Sequence, residues 1–246
     1  TRYIGVTGVQ TCALPIFFRQ LFDKASSTYT YLLACEQNAK ALLIDPVKEQ
    51  LPQYLQLLRE LNLTLLYAAD THTHADHITA LGALRDATGC VTLMGEFTRA
   101  SCVSRNLKDG EVFAVGSLSI QALYTPGHTD ESFSFVLNPA HPEAVFTGDA
   151  LLIRGTGRTD FQGGSAQKSW HSITQKLFQL PDDTRVYPGH DYKGWTVSTI
   201  VEEKRCNPRL AGRSEAEYVA IMASLNLPDP AMMDIAIPAN LACGQA

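Results

Sequence analysis

The chain has 246 residues, 45% hydrophobic and 18% charged, with 20 Lys and Arg against 25 Asp and Glu for a formal net charge of -5. That balance suits a packed globular protein of one large domain and excludes long disorder or a fibrous repeat. An acidic chain without a dense Lys/Arg block excludes a nucleic-acid partner, and apolar runs such as YLLA and ALLI fall far short of the roughly 20 residues that span a bilayer, so no membrane partner is expected.

The opening TRYIGVTGVQTCALPIFF has no initiator Met, makes a poor secretory signal and lacks the Arg/Ser richness of a transit peptide. Within it, GVQTCALPI looks like the translated read-through of a sequencing adapter, so residues 1–16 are expected to be a non-native segment and 17–246 a single domain. From Thr28 the runs TYTYLLAC and KALLIDP predict a hairpin closed at Asp45–Pro46. Leu51, Tyr54, Leu55, Leu58 and Leu61 recur at helical spacing, and TLLYAAD resumes as a buried strand. Asp76 is placed to cap a helix that begins near His77 and runs to a stop at Gly89. Strand runs VTLM, LSIQALYT, SFSFVL and AVFTG follow, then a helix over residues 166–178, then TRVYPGH, and one more amphipathic helix over residues 214–225. Strands this apolar need covering on both faces, so two sheets with helices outside are expected. Six cysteines, Cys12, Cys35, Cys90, Cys102, Cys206 and Cys243, lack CxxC or disulfide-framework spacing, which favours a reducing compartment.

The stretch THTHADH, residues 71–77, gathers three of the seven histidines. His72 and His74 are two apart and point the same way from an extended segment, with Asp76 and His77 just beyond. Neutral imidazole is the commonest metal ligand and a carboxylate adds the charge that holds a divalent cation. Three later segments supply matching parts: His128 in TPGHT, Asp149 in FTGDAL and His190 in YPGHD. Each follows a strand-like run with Gly beside the ligand, where a tight turn presents a side chain at a sheet edge. His141 and His171 do not fit this pattern, and Cys35 and Cys90 read as small core residues.

These segments resemble the metallo-β-lactamase superfamily, which implies an αββα sandwich, two mixed β-sheets flanked by helices, with a metal site at its edge. The potential ligands are then His72, His74, Asp76, His77, His128, Asp149 and His190, with Asp45 as a supporting turn residue. Spacing alone leaves one metal or two open. LLIRGTGRTDFQGGS, YPGHDYKGWTVSTIVEEKRCNPRL and IPANLACG look closely like the persulfide dioxygenase family over residues 17–244. That resemblance implies oxidation of glutathione persulfide by O2 and water to sulfite and glutathione at one Fe(II) per chain. It implies His72, His128 and Asp149 as both metal ligands and catalytic residues, a two-His, one-carboxylate face that leaves positions for a persulfide sulfur and O2. His74, Asp76, His77 and His190 are then hydrogen-bonding neighbours or a vacant second-metal site. Arg158, Tyr192 and Arg209 are candidate contacts for glutathione, whose carboxylates call for fixed cations; an internal pair with Asp160 stands equally open for Arg158. The rival is a glyoxalase II-like dinuclear hydrolase of glutathione thioesters. The resemblance also implies a homodimer, a sulfurtransferase as a separate protein, and a cytoplasmic location, or the mitochondrial matrix for a eukaryotic source.

Overall fold

The computed structural model describes residues 16–35, 37–230 and 232–245. Residues 1–15 of the segment read as non-native lie outside them. The first sheet runs in the order β1 (Ile16–Asp23), β2 (Thr28–Cys35), β3 (Lys40–Ile44), β4 (Thr64–Ala69), β5 (Val91–Gly95), β6 (Arg105–Leu107). Its first three strands are antiparallel and β3 to β6 are parallel. The second sheet is ordered β12 (Ser198–Thr199), β11 (Arg185–Pro188), β10 (Ala144–Gly148), β9 (Phe133–Leu137), β8 (Leu118–Tyr124), β7 (Val112–Val115), antiparallel except for the β10–β11 pair. Helices α1 (Leu51–Glu60) and α2 (Leu81–Thr88) belong to the first half of the chain, and α3 (Ala166–Gln175), α4 (Ile200–Cys206), α5 (Glu215–Ala223) and α6 (Met233–Leu241) to the second.

Alternation along each strand decides which layer a side chain joins. In β2, Tyr29, Tyr31 and Leu33 enter the inter-sheet core with Phe133, Phe135 and Phe146. Leu32 and Ala34, facing the other way, pack with Tyr54 and Leu58 of α1 and Leu81 and Leu84 of α2. In the second sheet Val136 and Val145 turn outward onto Ile173, Ile200 and Tyr218 of α3, α4 and α5. Two sheets, covered by helices on both outer faces, give the expected αββα sandwich. Among the described residues, no helix is long and apolar enough to cross a membrane.

Several local expectations shift. The helix after the histidine cluster starts at Leu81, not near His77, and Asp76 does not cap it; the Thr79 hydroxyl accepts from the Leu81 N–H at 3.2 Å instead. Gly89 does end it, in the left-handed region at φ 72°. The helix at residue 166 closes at Gln175 and continues as a 3-10 turn over Leu177–Gln179. Ser214 and Glu217 form a capping box that starts α5.

Cys102 and Cys243 are joined by a disulfide across 141 residues of sequence. This departs from the expectation of unpaired cysteines: the pairing is invisible in spacing because only the fold brings the two together. The bridge ties the chain just before β6 to the residues that follow α6. Closing so long a loop removes chain entropy from the unfolded state. Denaturant unfolding under oxidising conditions is therefore expected to exceed that under reducing conditions by about 2–4 kcal/mol, with Cys102→Ser insensitive to the reductant.

Candidate metal centre

The histidine cluster lies between β4 and α2 in irregular backbone, yet almost all of it is buried. Buried peptide groups without a ladder must find other partners. The Asp45 carboxylate, at the turn after β3, accepts from the Thr71 N–H at 2.7 Å and the Thr71 hydroxyl at 3.0 Å. The Thr73 peptide is gripped on both sides, its N–H by Glu131 at 2.7 Å and its carbonyl by the Gln162 amide at 2.8 Å. Asn240 of α6 donates to the His74 and His77 carbonyls at 2.8 and 2.9 Å, while its own carbonyl accepts from the Thr79 N–H at 2.8 Å.

Three ligand atoms converge from three strand ends: one each from His72, His128 and Asp149, all within 4.8 Å of one another. Their hydrogen bonding leaves lone pairs free for a cation. Thr71 spends its hydroxyl proton on Asp45, so it accepts from His72 Nδ1 at 2.9 Å and leaves His72 Nε2 unprotonated. His128 Nδ1 donates to the Arg158 carbonyl at 2.8 Å, so Nε2 is the nitrogen that turns toward the trio, facing Asp149 Oδ2 at 3.6 Å. Burial, reinforced by His74 and His128, holds the His72 pKa well below its ordinary value, so protons compete weakly for this nitrogen. Burial opposes ionisation of Asp149, but the charge and hydrogen bond of His190 outweigh it and keep the carboxyl below its usual range. Two imidazoles and a carboxylate, with Nε2 of each ring free of protein hydrogen bonds, fit a divalent transition metal.

Close backbone approach makes this possible at Gly148, whose φ is +49° and where an added Cβ would meet Thr71 Oγ1 at 2.4 Å. At Gly157, a Cβ would lie 2.9 Å from His128 Nδ1, in the turn that delivers the Arg158 carbonyl.

The remaining ligand candidates do not join that trio. His190 sits between two carboxylates, Nδ1 on Asp149 Oδ1 at 2.6 Å and Nε2 on Asp76 Oδ2 at 2.8 Å. Burial alone would disfavour its cation, yet the two carboxylates raise its pKa well above the ordinary value. His74 gives Nε2 to Asp45 at 3.2 Å, and His77 gives Nδ1 to Asp76 at 3.0 Å. His74, Asp76 and His77 nevertheless form a second convergent group, in which His74 Nδ1 and His77 Nε2 are buried without a hydrogen-bond partner.

A cavity of about 600 Å³ opens over His128, Asp149 and His190, walled by Phe161, Arg209 and Pro228 among others. Tyr192, 74% exposed, stands at its rim with its ring parallel to that of His190, centroids 6.2 Å apart. Arg209 donates to the Thr156 carbonyl at 2.6 Å, and burial lowers its pKa. Arg158 makes a two-pronged ion pair with Asp160, both contacts at 2.7 Å, and donates to the Pro228 carbonyl at 2.7 Å. Sequence reading passed over Thr28, Thr71, Glu131, Gln162 and Asn240. Gln162 and Asn240 fall inside the quoted segments GRTDFQ and IPANLACG; Thr28 and Glu131 carry no local signal.

The family model described as the metallo-beta-lactamase superfamily matches residues 103–190. The curated protein "Persulfide dioxygenase ETHE1, mitochondrial" of Homo sapiens is 49% identical over 94% of this chain and 89% of its own length. The crystal structure of ETHE1 from Myxococcus xanthus is 55% identical, covers 93% of this chain and 100% of its own, and superposes with a TM-score of 0.90. The probable hydroxyacylglutathione hydrolase glo2 of Schizosaccharomyces pombe stands further off, at 33% over 70% of this chain and 67% of its own length.

Asn240→Ala removes three hydrogen bonds from the metal loop while leaving every candidate ligand in place. Outer-shell losses of this kind cost about 10- to 100-fold in metal affinity; competition against a chelator, with metal content read by elemental analysis, is expected to show a loss in that range.

Proposed function

The chain belongs to the persulfide dioxygenase family of the metallo-β-lactamase superfamily, and from that membership we propose that it oxidises glutathione persulfide with O2 and water to sulfite and glutathione at one Fe(II) held by His72, His128 and Asp149. Membership makes it an enzyme of the oxidoreductase class. The observation that supports this metal site best is the convergence of two imidazoles and a carboxylate, while His190 is taken up by Asp76 and Asp149. When bound, a ferrous ion supplies the redox chemistry of oxygen activation, which zinc lacks.

The chain's own residues supply geometry and charge. Thr71 and the Arg158 carbonyl fix the tautomers of His72 and His128, so that both offer Nε2 without reorganisation. His190 holds one oxygen of Asp149 and leaves the other directed toward His128. Its positive charge, shared with two carboxylates, also lies in the cavity wall where an anionic sulfur would arrive. Arg209 bonds to a carbonyl and a hydroxyl rather than to a carboxylate, and as a partly desolvated guanidinium it is assigned to a glutathione carboxylate. Tyr192 is assigned as a hydroxyl donor at the mouth. Arg158 has its fork engaged by Asp160, so its assigned part is to brace the wall near Pro228. A homodimer, a separate sulfurtransferase as persulfide supplier, and a cytoplasmic or matrix location complete the proposal; the human relative is described as mitochondrial.

The dinuclear hydrolase reading draws on the second convergent group, His74, Asp76 and His77. His190, a ligand that a second ion would need, is instead bonded to Asp76 and Asp149, which favours one ion.

Oxygen uptake with glutathione persulfide separates the readings. Iron-loaded protein is expected to consume O2 and release sulfite, whereas a zinc-loaded protein that cleaves S-lactoylglutathione without O2 uptake would overturn the proposal. His72→Ala, His128→Ala and Asp149→Ala are each expected to lose metal and turnover together. Arg209→Ala is expected to retain metal and to raise KM about 10-fold or more, the scale of a lost charge-assisted hydrogen bond; unchanged KM would remove Arg209 from the substrate site.

A further inference from the structure

Thr28, the first residue of β2, is fully buried and lies at the centre of the residues that a second metal ion would use. Its hydroxyl oxygen is 3.1 Å from Asp76 Oδ2, 3.3 Å from His77 Nδ1 and 3.1 Å from His190 Nε2. The Ser26 hydroxyl backs it at 2.7 Å. Ser26 gives its own proton to Asp23 at 2.8 Å, so the single Thr28 proton is shared between the Asp76 carboxylate and the Ser26 oxygen while the Thr28 lone pairs face the two ring N–H groups. The backbone fixes it there: Thr28 forms a bridge with His190, and the Tyr29 N–H donates to the Gly189 carbonyl at 2.8 Å.

Resting on the single-iron reading above, we propose that the Thr28 hydroxyl stands in for a second metal ion, holding Asp76, His77 and His190 as a hydrogen-bonded set and thereby keeping the centre mononuclear. A metal of this class draws its ligands to about 2.0–2.2 Å and needs bare imidazole nitrogens. Thr28 imposes the opposite arrangement, with spacings of hydrogen-bond length and an N–H on His190 Nε2 where a bare nitrogen is needed; His77 keeps a bare Nε2, but its ring is tied through Nδ1 to Asp76 and Thr28. A neutral hydroxyl is a poor substitute for the imidazole, thiolate and carboxylate ligands that such ions select. The trio Asp76, His77 and His190 is absent from the convergent groups found among the described residues. The group His74, Asp76 and His77 does converge, but Asp76 Oδ2 within it already receives His77, His190 and Thr28. Thr28 is a positioning residue that determines metal number, one link removed from the reacting atoms.

The test is metal stoichiometry, independent of turnover. Full-length wild-type protein and the variants Thr28→Ala and Thr28→Ser, each checked for folding by circular dichroism, are titrated with Co(II) and followed by visible absorption and elemental analysis. Wild type and Thr28→Ser, which keeps the hydroxyl, are expected to take one equivalent, and Thr28→Ala a second with its own absorption bands. One equivalent in folded Thr28→Ala would overturn the proposal while leaving the single-iron reading intact. Two equivalents in wild type would overturn both. Should Thr28→Ala fail to fold, wild type saturated with Zn(II) decides the matter through nitrogen NMR of its imidazoles. The His77 and His190 rings are expected to keep uncoordinated nitrogen shifts under excess zinc; a coordination shift at His77 Nε2 or His190 Nε2 would overturn the proposal.

Discussion

The site depends on a buried carboxylate that never touches the cavity. Asp45 closes β3 in the left-handed region, φ 51°, and donates its own N–H to the Ala69 carbonyl of the neighbouring strand. From there its two oxygens receive the Thr71 N–H, the Thr71 hydroxyl and His74 Nε2. Each buried polar group left unpaired would cost about 1–3 kcal/mol, so this one side chain settles the start of an irregular buried segment and the tautomer of a candidate ligand. The chain of contact is short: Asp45 orients Thr71, Thr71 orients His72, and Gly148 lacks the Cβ that would push Thr71 away.

The same carboxylate divides the labour of two histidines that look equivalent on paper. His72 and His74 have rings 4.2 Å apart. Burial disfavours the charged form of both, but His74 lies against Asp45 and near Asp70 and Asp76, whose charges lift its pKa to about 9. Asp149 acts on His72 in the same sense, but burial and the neighbouring His74 and His128 outweigh it and hold its pKa well below the ordinary value. One imidazole thus becomes the counter-ion of a buried acidic layer and the other a candidate ligand. Burial lifts Asp70 in that layer to about 7, and its Oδ1 has no hydrogen-bond partner.

Much of this was legible in the residues. The runs TYTYLLAC, KALLI, SFSFVL and AVFTG became strands at almost their predicted bounds because each is apolar on both faces, the mark of a strand between layers. β1 was missed because, as an edge strand with Arg19 and Gln20, it is only half-buried; β6, β7 and β12 are too short for a period to register. The last helix, α6, carries Pro238 inside it, which argues against a helix in any local reading. The ligand candidates were legible as residue types after strands, but their division into ligands and hydrogen-bonding partners was not. That division depends on which carboxylate each ring meets, and those carboxylates lie up to 114 residues away, as Asp76 does from His190.

The cavity wall and the metal ligands are also mechanically joined, which gives the segments GRTDFQ and NPRL a reason beyond substrate contact. The Arg158 carbonyl holds His128, and its guanidinium holds both Asp160 and the Pro228 carbonyl of the segment between α5 and α6. Gln162, in the left-handed region at φ 46°, reaches back to the Thr73 carbonyl between His72 and His74. On the other side Asn207 accepts from the Arg209 N–H at 3.1 Å and bonds to the fully buried Glu203, which in turn pairs with Arg154. A ligand pressing on the wall through Arg209 or Pro228 therefore presses on backbone that orients His128. Rigid coupling of this kind suits chemistry in which a substrate atom and a gas must meet on one ion, because misplacement of about 1 Å is enough to cost two orders of magnitude in rate. Arg158 and Arg209 are thus parts of one framework, which joins the cavity wall to the backbone around His128.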